Sequence, residues 1–211
     1  MSRTCSRRII WLALAVVMMG FGIGTYKWLT PIPVATSPFY GTVLDHPRPV
    51  SNFDLMTTDG RHFDHQHLHG HWTFIFFGFT HCGSVCPVTM AELGKMYRLI
   101  EQNPSLPRPQ IVMITLDPKR DDLARMKEYV QAFDPHFLGA QGSIQATQAL
   151  AREMGIAYTR IQASAKTNNE YSIEHSGAIM LINPNEELVA FFTPPHRAEL
   201  IVSDYQLLNT R

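Results

Sequence analysis

The chain has 211 residues, 45% of them hydrophobic and 17% charged, with a formal net charge of zero. Once an N-terminal membrane segment is set aside, one ordinary domain remains, with enough apolar residues for a sizeable core. There is neither a basic stripe nor an acidic tail, so a nucleic-acid partner has no support.

Arg3, Arg7 and Arg8 precede an uncharged apolar run from Ile9 to Gly24, which Tyr26, Lys27, Trp28 and Leu29 extend. Counted to Leu29, the run reaches the roughly 20 residues that a spanning helix needs. Arginines before the run and almost none just after it predict a cytoplasmic N-terminus and an exported body. The expected organisation is a cytoplasmic segment over 1–8, a transmembrane anchor over 9–29, a linker over 30–50 and a domain over 51–211. A cleaved signal peptide is the rival reading of so short a run, but no small-x-small site stands ahead of Pro31. Cys5 precedes the run and reads as an idle thiol. The lack of an Arg-rich transit peptide favours a bacterial inner membrane with the domain in the periplasm. The mitochondrial inner membrane facing the intermembrane space is the alternative.

Pro31, Pro33, Pro38, Pro47 and Pro49 give residues 30–50 an extended, linker-like character. Asp59-Gly60 between two short alternating runs predicts a β-hairpin. His62, His65, His67, His69 and His71 crowd into the next ten residues. Such a cluster can chelate Cu(II), Ni(II) or Zn(II), but its plainer reading is a solvated, partly helical turn. Trp72 to Phe79 is a nearly unbroken apolar run, the pattern of a strand covered on both faces. Pro87 suits a first helical position, and Met90, Leu93, Tyr97 and Ile100 follow at helical spacing. Ile111 to Leu116 predicts a second buried strand, ending at Asp117-Pro118. Leu123, Met126, Val130 and Phe133 mark a helix, and Ser143 caps another that Gly155 closes. A polar loop covers Gln162 to Glu170. Residues Gly177 to Ile182 and Leu188 to Thr193 predict a closing hairpin, and Pro195 to Leu208 a terminal helix. This order is that of a thioredoxin-like α/β sandwich with an N-terminal β-hairpin and an inserted helix. Order alone leaves other α/β folds open, and a dithiol at the first strand-to-helix junction narrows the choice.

Cys82 and Cys86 stand where the apolar strand runs into its helix, the only cysteines beyond the membrane segment. Two thiols four residues apart can bind one metal ion or oxidise to a disulfide, and a helix N-terminus favours the thiolate. Export sharpens the choice, because spare thiols in an oxidising compartment form a disulfide unless reduced or metallated. Thiolate with imidazole selects Cu(I), Cu(II) or Zn(II). Two thiolates are too few for a closed structural zinc site, so a histidine ligand is expected. His175 is the candidate, since it precedes the strand expected beside the dithiol strand.

Three separated motifs occur in order: Phe-Gly-Phe-Thr-His-Cys-Gly-Ser-Val-Cys-Pro, Thr115-Leu-Asp-Pro-Lys-Arg-Asp121, and Glu174-His175-Ser176 before an apolar strand. In these the chain resembles the Sco/SenC family of copper-binding proteins that serve cytochrome c oxidase assembly, over about residues 51–204. The resemblance implies a membrane-tethered thioredoxin fold that binds one copper ion through Cys82, Cys86 and His175. Glu174 stands where the family often has aspartate, and Gly83-Ser84 replaces its more usual Pro-Asp. The implied partner is the copper-bearing subunit of cytochrome c oxidase, with other copper chaperones or thioredoxin-like reductants as further partners. Asp117 is expected near the copper edge, either orienting the site or meeting the acceptor. A cap before Pro118 is its plainer role.

The rival function is a thiol–disulfide oxidoreductase that reduces cysteines of the oxidase subunit or another exported partner. Thioredoxin-like reductases carry a cis-proline before the strand facing their dithiol, whereas no proline lies between Tyr171 and Ile182 here. A peroxidase fits less well: the peroxiredoxin pattern has threonine three residues before the reactive cysteine, where Gly83 precedes Cys86.

Overall fold

A computed structural model describes residues 11, 14–22, 38–162 and 171–210. The chain divides into two compact units, Met1–Pro38 and Phe39–Arg211. In the first, residues 14–22 are helical. Among the described residues no helix is long and apolar enough to cross a membrane. Much of the span expected over 9–29 lies outside the described residues, as does most of the loop expected after Gln162.

The second unit is built on one eight-stranded sheet. Its strands are β1 (Thr42–Pro49), β2 (Leu55–Thr57), β3 (His62–Phe63), β4 (Thr73–Gly78), β5 (Gln110–Thr115), β6 (Leu138–Gln141), β9 (Ile179–Ile182) and β10 (Glu187–Phe192), and β7 (Tyr158–Gln162) and β8 (Tyr171–His175) form a separate ribbon. The order across the sheet is β1-β10-β9-β4-β5-β6-β2-β3. β4 is central, parallel to β5 and antiparallel to β9. All six of its residues are buried, as a strand covered on both faces requires. The helices are α1 (His65–Leu68), α2 (Val85–Glu101), α3 (Leu123–Gln131), α4 (Ile144–Glu153) and α5 (Ala198–Asn209). Met90, Leu93, Tyr97 and Ile100 form the buried stripe of α2. α5 lies beside α2, where Glu92 accepts the Ala198 N–H at 2.8 Å.

Three expectations need correction. The proline-rich stretch over 30–50 is not all linker: β1 pairs antiparallel with β10 at the sheet edge. Pro47 and Pro49 are tolerated there because an edge strand has N–H groups that need no ladder partner, and the register breaks between Val43 and Arg48. The compact unit that carries the sheet begins at Phe39, ahead of the expected domain start at residue 51. Helix α2 starts at Val85, so Pro87 is its third residue and Cys86 its second. Pro87 still costs nothing, since first-turn N–H groups have no partner within the helix. Finally, His175, expected just ahead of a strand, itself ends one, β8, where Arg160 pairs with Ile173 across the ribbon.

Candidate metal centre

Cys82 follows β4 by four residues, in a turn closed by its own N–H donating to the Phe79 carbonyl at 3.2 Å. Its sulfur accepts the backbone N–H of Cys86 at 3.4 Å. It thereby serves the start of α2, where the Ser84 side chain makes no capping bond. Unpaired N–H groups at a helix start carry partial positive charge, which favours a thiolate. Cys86 is fully buried and Cys82 only partly so. Gly78 makes the close approach of Cys86 to the sheet feasible: a β-carbon there would lie 3.1 Å from the Cys86 sulfur and 2.7 Å from the Phe76 ring.

His175 reaches the pair from the end of β8, its Nε2 3.3 Å from Cys86 Sγ. The ring is walled by Phe76 and Phe79, with centroids at 5.8 and 6.1 Å. Nδ1 accepts the Gly177 N–H at 3.3 Å, which leaves the proton of a neutral ring on Nε2, facing the sulfurs. Gly177 has φ +66, and a side chain there would also press on Val85 and Pro194 at 3.0 Å. Buried His196 holds the same residue from behind, its Nε2 2.8 Å from the Gly177 carbonyl. Burial pushes His196 below the ordinary imidazole range, so it is neutral and donates.

One ligand atom each from Cys82, Cys86 and His175 lies within 4.8 Å of the others, and among the described residues this is the one group of three or more His, Cys, Asp or Glu so gathered. The two thiols are polarised against each other. Cys82 is pushed well below the thiol range, chiefly because the Cys86 thiol donates to it. Cys86 is pushed up for the same reason, with burial adding to the effect. The metal-free pair is thus polarised toward a thiolate at Cys82 and a thiol at Cys86.

Asp117 contacts the ribbon that carries His175. Its buried carboxylate accepts from the Arg120 Nε and, at 2.6 Å, from the Tyr171 hydroxyl, so it ties down the start of β8, at the far end from His175. The capping role falls to Asp122, which accepts the Arg125 N–H at 2.8 Å. The carboxylate that serves the dithiol turn is Asp121, fully buried. It accepts the Thr80 N–H at 3.0 Å, the Thr80 hydroxyl at 2.6 Å and the Thr115 hydroxyl at 2.7 Å, and His81 lies 3.4 Å away. Asp121 went unassigned in the sequence, although it closes the second quoted motif. The histidines of residues 62–71 do not converge on a common point. His62 pairs with Asp54 at 2.7 Å, His67 with Asp64 at 3.2 Å, and His65 and His69 with Glu186 at 2.5 and 2.9 Å.

Comparison with known proteins agrees with this geometry. The SCO1/SenC family model matches residues 43–208. The chain is 35% identical over 151 residues to the mitochondrial protein SCO2 homolog of Mus musculus, an alignment covering 72% of this chain and 58% of that one. It spans between 50 and 58% of the length of the first curated relatives it matches. Among solved structures, Arabidopsis thaliana ScoI with copper bound superposes with a TM-score of 0.70 at 27% identity, covering 76% of this chain and 98% of that one. Apo Sco1 from Thermus thermophilus gives a TM-score of 0.69 at 30% identity, covering 82% and 99%. With its thioredoxin-like sheet and two cysteines and a histidine gathered from the β4–α2 junction and the end of β8, this chain belongs to the SCO1/SenC family.

Proposed function

We propose that this chain is a membrane-anchored copper chaperone that holds one copper ion on Cys82, Cys86 and His175 and assists assembly of the copper centre of cytochrome c oxidase. The observation that carries the reading is the gathering of two sulfurs and one imidazole within 4.8 Å. This donor set suits Cu(I) and tolerates Cu(II). Three ligands also leave the site more open than the four-ligand cage of structural zinc, as cargo that must be handed on requires. Cys82, the more exposed sulfur, gives entry and exit.

Loading moves protons. Cys82 already offers a thiolate, whereas the Cys86 thiol must give up its proton to ligate. A neutral imidazole that ligates through Nε2 carries its proton on Nδ1, so loading also breaks the Gly177 bond to that nitrogen. The acceptor would be the copper-bearing subunit of cytochrome c oxidase. Residues 9–29 would anchor the domain on the periplasmic face of a bacterial inner membrane, or on the intermembrane-space face of a mitochondrial one. The apolar run and the arginines before it support that placement.

Anaerobic titration of the reduced protein tests the copper reading. One tight Cu(I) is expected, lost in Cys82→Ser and Cys86→Ser. His175→Ala should bind more weakly and change the Cu(II)–thiolate absorption. Unchanged stoichiometry in Cys86→Ser would sink the ligand assignment.

The asymmetry of the thiols favours a second activity at the same site, reduction of a disulfide in the acceptor. The Cys82 thiolate would attack one acceptor sulfur and release the other as a thiolate. Cys86 would then attack Cys82, releasing the acceptor dithiol and leaving a Cys82–Cys86 disulfide. That disulfide offers no thiolate to copper, so a thioredoxin-like reductant would be needed to restore the site. In this reading Cys86→Ser accumulates a mixed disulfide through Cys82, and its absence with an oxidised acceptor peptide would count against the activity.

A further inference from the structure

We propose that Tyr171 is a positioning residue for His175, a pin that fixes the register of β8 so that the imidazole meets the sulfurs; this rests on the copper reading above. The β7–β8 ribbon is hydrogen-bonded to no strand of the main sheet among the described residues. A two-stranded ribbon is marginal by itself, so its place depends on its short connections to α4 and β9 and on side-chain contacts. Along β8 the inward residues alternate: Tyr171, Ile173 and His175 turn to the domain, while Ser172 and Glu174 are exposed. Ile173 is buried in the core, but an apolar contact alone does not forbid sliding. A slip of one residue would carry every side chain of the strand to its other face, and His175 would leave the cysteines.

Tyr171 is held on four sides. Its hydroxyl donates to Asp117 Oδ1 at 2.6 Å. Its carbonyl accepts from Arg120 Nη1 at 3.1 Å. Its ring carries the Arg120 guanidinium at 3.7 Å and the Arg160 guanidinium at 4.2 Å from the centroid. Arg120 is itself fixed on Asp117, just after β5, while Arg160 comes from β7 opposite Ile173. One ring thus locks both strands of the ribbon to the central sheet, about 13 Å along the strand from His175 at the usual rise per residue. Groups that hydrogen-bond a metal ligand directly are worth about 10–100-fold in metal affinity. Tyr171 touches no ligand and acts only through the register of β8, so its effect belongs at or below the lower end of that range.

The test uses the full chain with Tyr171→Ala, Tyr171→Phe and, as a control on the exposed face of the same strand, Ser172→Ala. Tyr171→Ala should weaken copper binding by up to about 10-fold and shift the Cu(II)–thiolate absorption toward that of His175→Ala. Tyr171→Phe keeps the ring between the guanidiniums and should restore most of both, and Ser172→Ala should match the parent. Without copper, Tyr171→Ala should also broaden the His175 ring resonances and speed exchange of the Gly177 amide. If Tyr171→Ala folds poorly, Arg160→Ala removes one guanidinium and should produce the same changes in smaller measure. Parent-like His175 resonances and copper spectra in Tyr171→Ala would overturn the proposal. So would a loss of stability with those signals unmoved, which would make Tyr171 merely structural. Identical copper spectra in the parent and His175→Ala would overturn the copper reading instead, leaving the copper-free resonances to decide on Tyr171.

Discussion

Asp121 accepts three hydrogen bonds while fully buried, and two come from Thr80, two residues before Cys82. Removing the carboxylate strands the Thr80 N–H and the Thr115 hydroxyl in the interior, at a cost of about 1–3 kcal/mol each. Asp121→Ala is therefore expected to lower the unfolding free energy by about 2–4 kcal/mol and to weaken copper binding, with Asp121→Asn milder on both counts. Urea unfolding followed by copper titration checks this, and an Asp121→Ala protein of parental stability would show that the carboxylate carries no such load. Cys82, Cys86 and His175 were legible in the sequence, because thiols at a strand end and a histidine before the neighbouring strand are placed by strand order alone. The division of work between Asp117 and Asp121 was not. Both close the same β5-to-α3 turn, and which of them faces the dithiol depends on the turn's path. There the Thr115 hydroxyl accepts the Asp117 N–H at 2.9 Å and donates to Asp121, a choice that no spacing encodes.

At the scale of elements, the strands buried on both faces and the amphipathic helices announced themselves by period, and α4 by its Ser143 cap and Gly155 stop. β6 did not, because its Gly139 and four-residue length give no pattern; it is a strand because β5 and β2 flank it. Gly139 is also required there, since a side chain would meet Thr58 and Met126 within 3.0 Å. Nor did the sequence reveal what the histidines do. Asp64 caps α1, accepting from Gln66 and His67, and His65 and His69 then grip Glu186 in the β9–β10 turn. The Gly70 N–H adds a bond to the Pro184 carbonyl at 2.9 Å. This clamp is pH-dependent. The bond to Glu186 raises His65 above the ordinary value of 6.5, so its contribution is complete below 6.5 and is lost as pH rises through the raised value. The bond to His65 lowers Glu186 below 4.5, so that contribution is present above 4.5 and lost as pH falls. The stability difference between the parent and Glu186→Gln should thus be largest between about pH 4.5 and 6.5, and shrink on either side. Melting both proteins across pH 4 to 8.5 measures it. His196, whose lowered value acts in the opposite sense, is present in both and cancels. A difference that stays flat across the range would remove Glu186 from the pH response.

Over the whole molecule, the domain boundary is set by hydrogen bonds that composition hides. Five prolines between Pro31 and Pro49 suggest a tether, yet the chain is captured from Phe39 onward. The N–H groups of Tyr40 and Gly41 donate to the two oxygens of Asp204 at 3.1 and 2.7 Å, and Asp204 is buried on α5. Tyr40 stacks on Phe192 with centroids 6.5 Å apart. Gly41 admits no side chain, because a β-carbon would lie 2.6 Å from that same ring. β1 then covers the edge of β10, whose Leu188, Val189, Ala190 and Phe192 are buried. A protein beginning at Ser51 would take both of these donors from Asp204 and expose the β10 edge to pairing with other chains. Losing two hydrogen bonds to a carboxylate costs about 3 kcal/mol. For a domain of this size that lowers the melting temperature by on the order of 10 °C. A protein beginning at Phe39 keeps all of these contacts and should melt as the same domain does in the full chain. Asp204→Ala in that longer protein separates the two contributions: it should reproduce the loss of stability without the aggregation, because β1 still blocks the edge. Scanning calorimetry and light scattering on the three proteins decide the matter. Equal melting temperatures for the Ser51 and Phe39 proteins would return β1 to the tether and the domain start to residue 51.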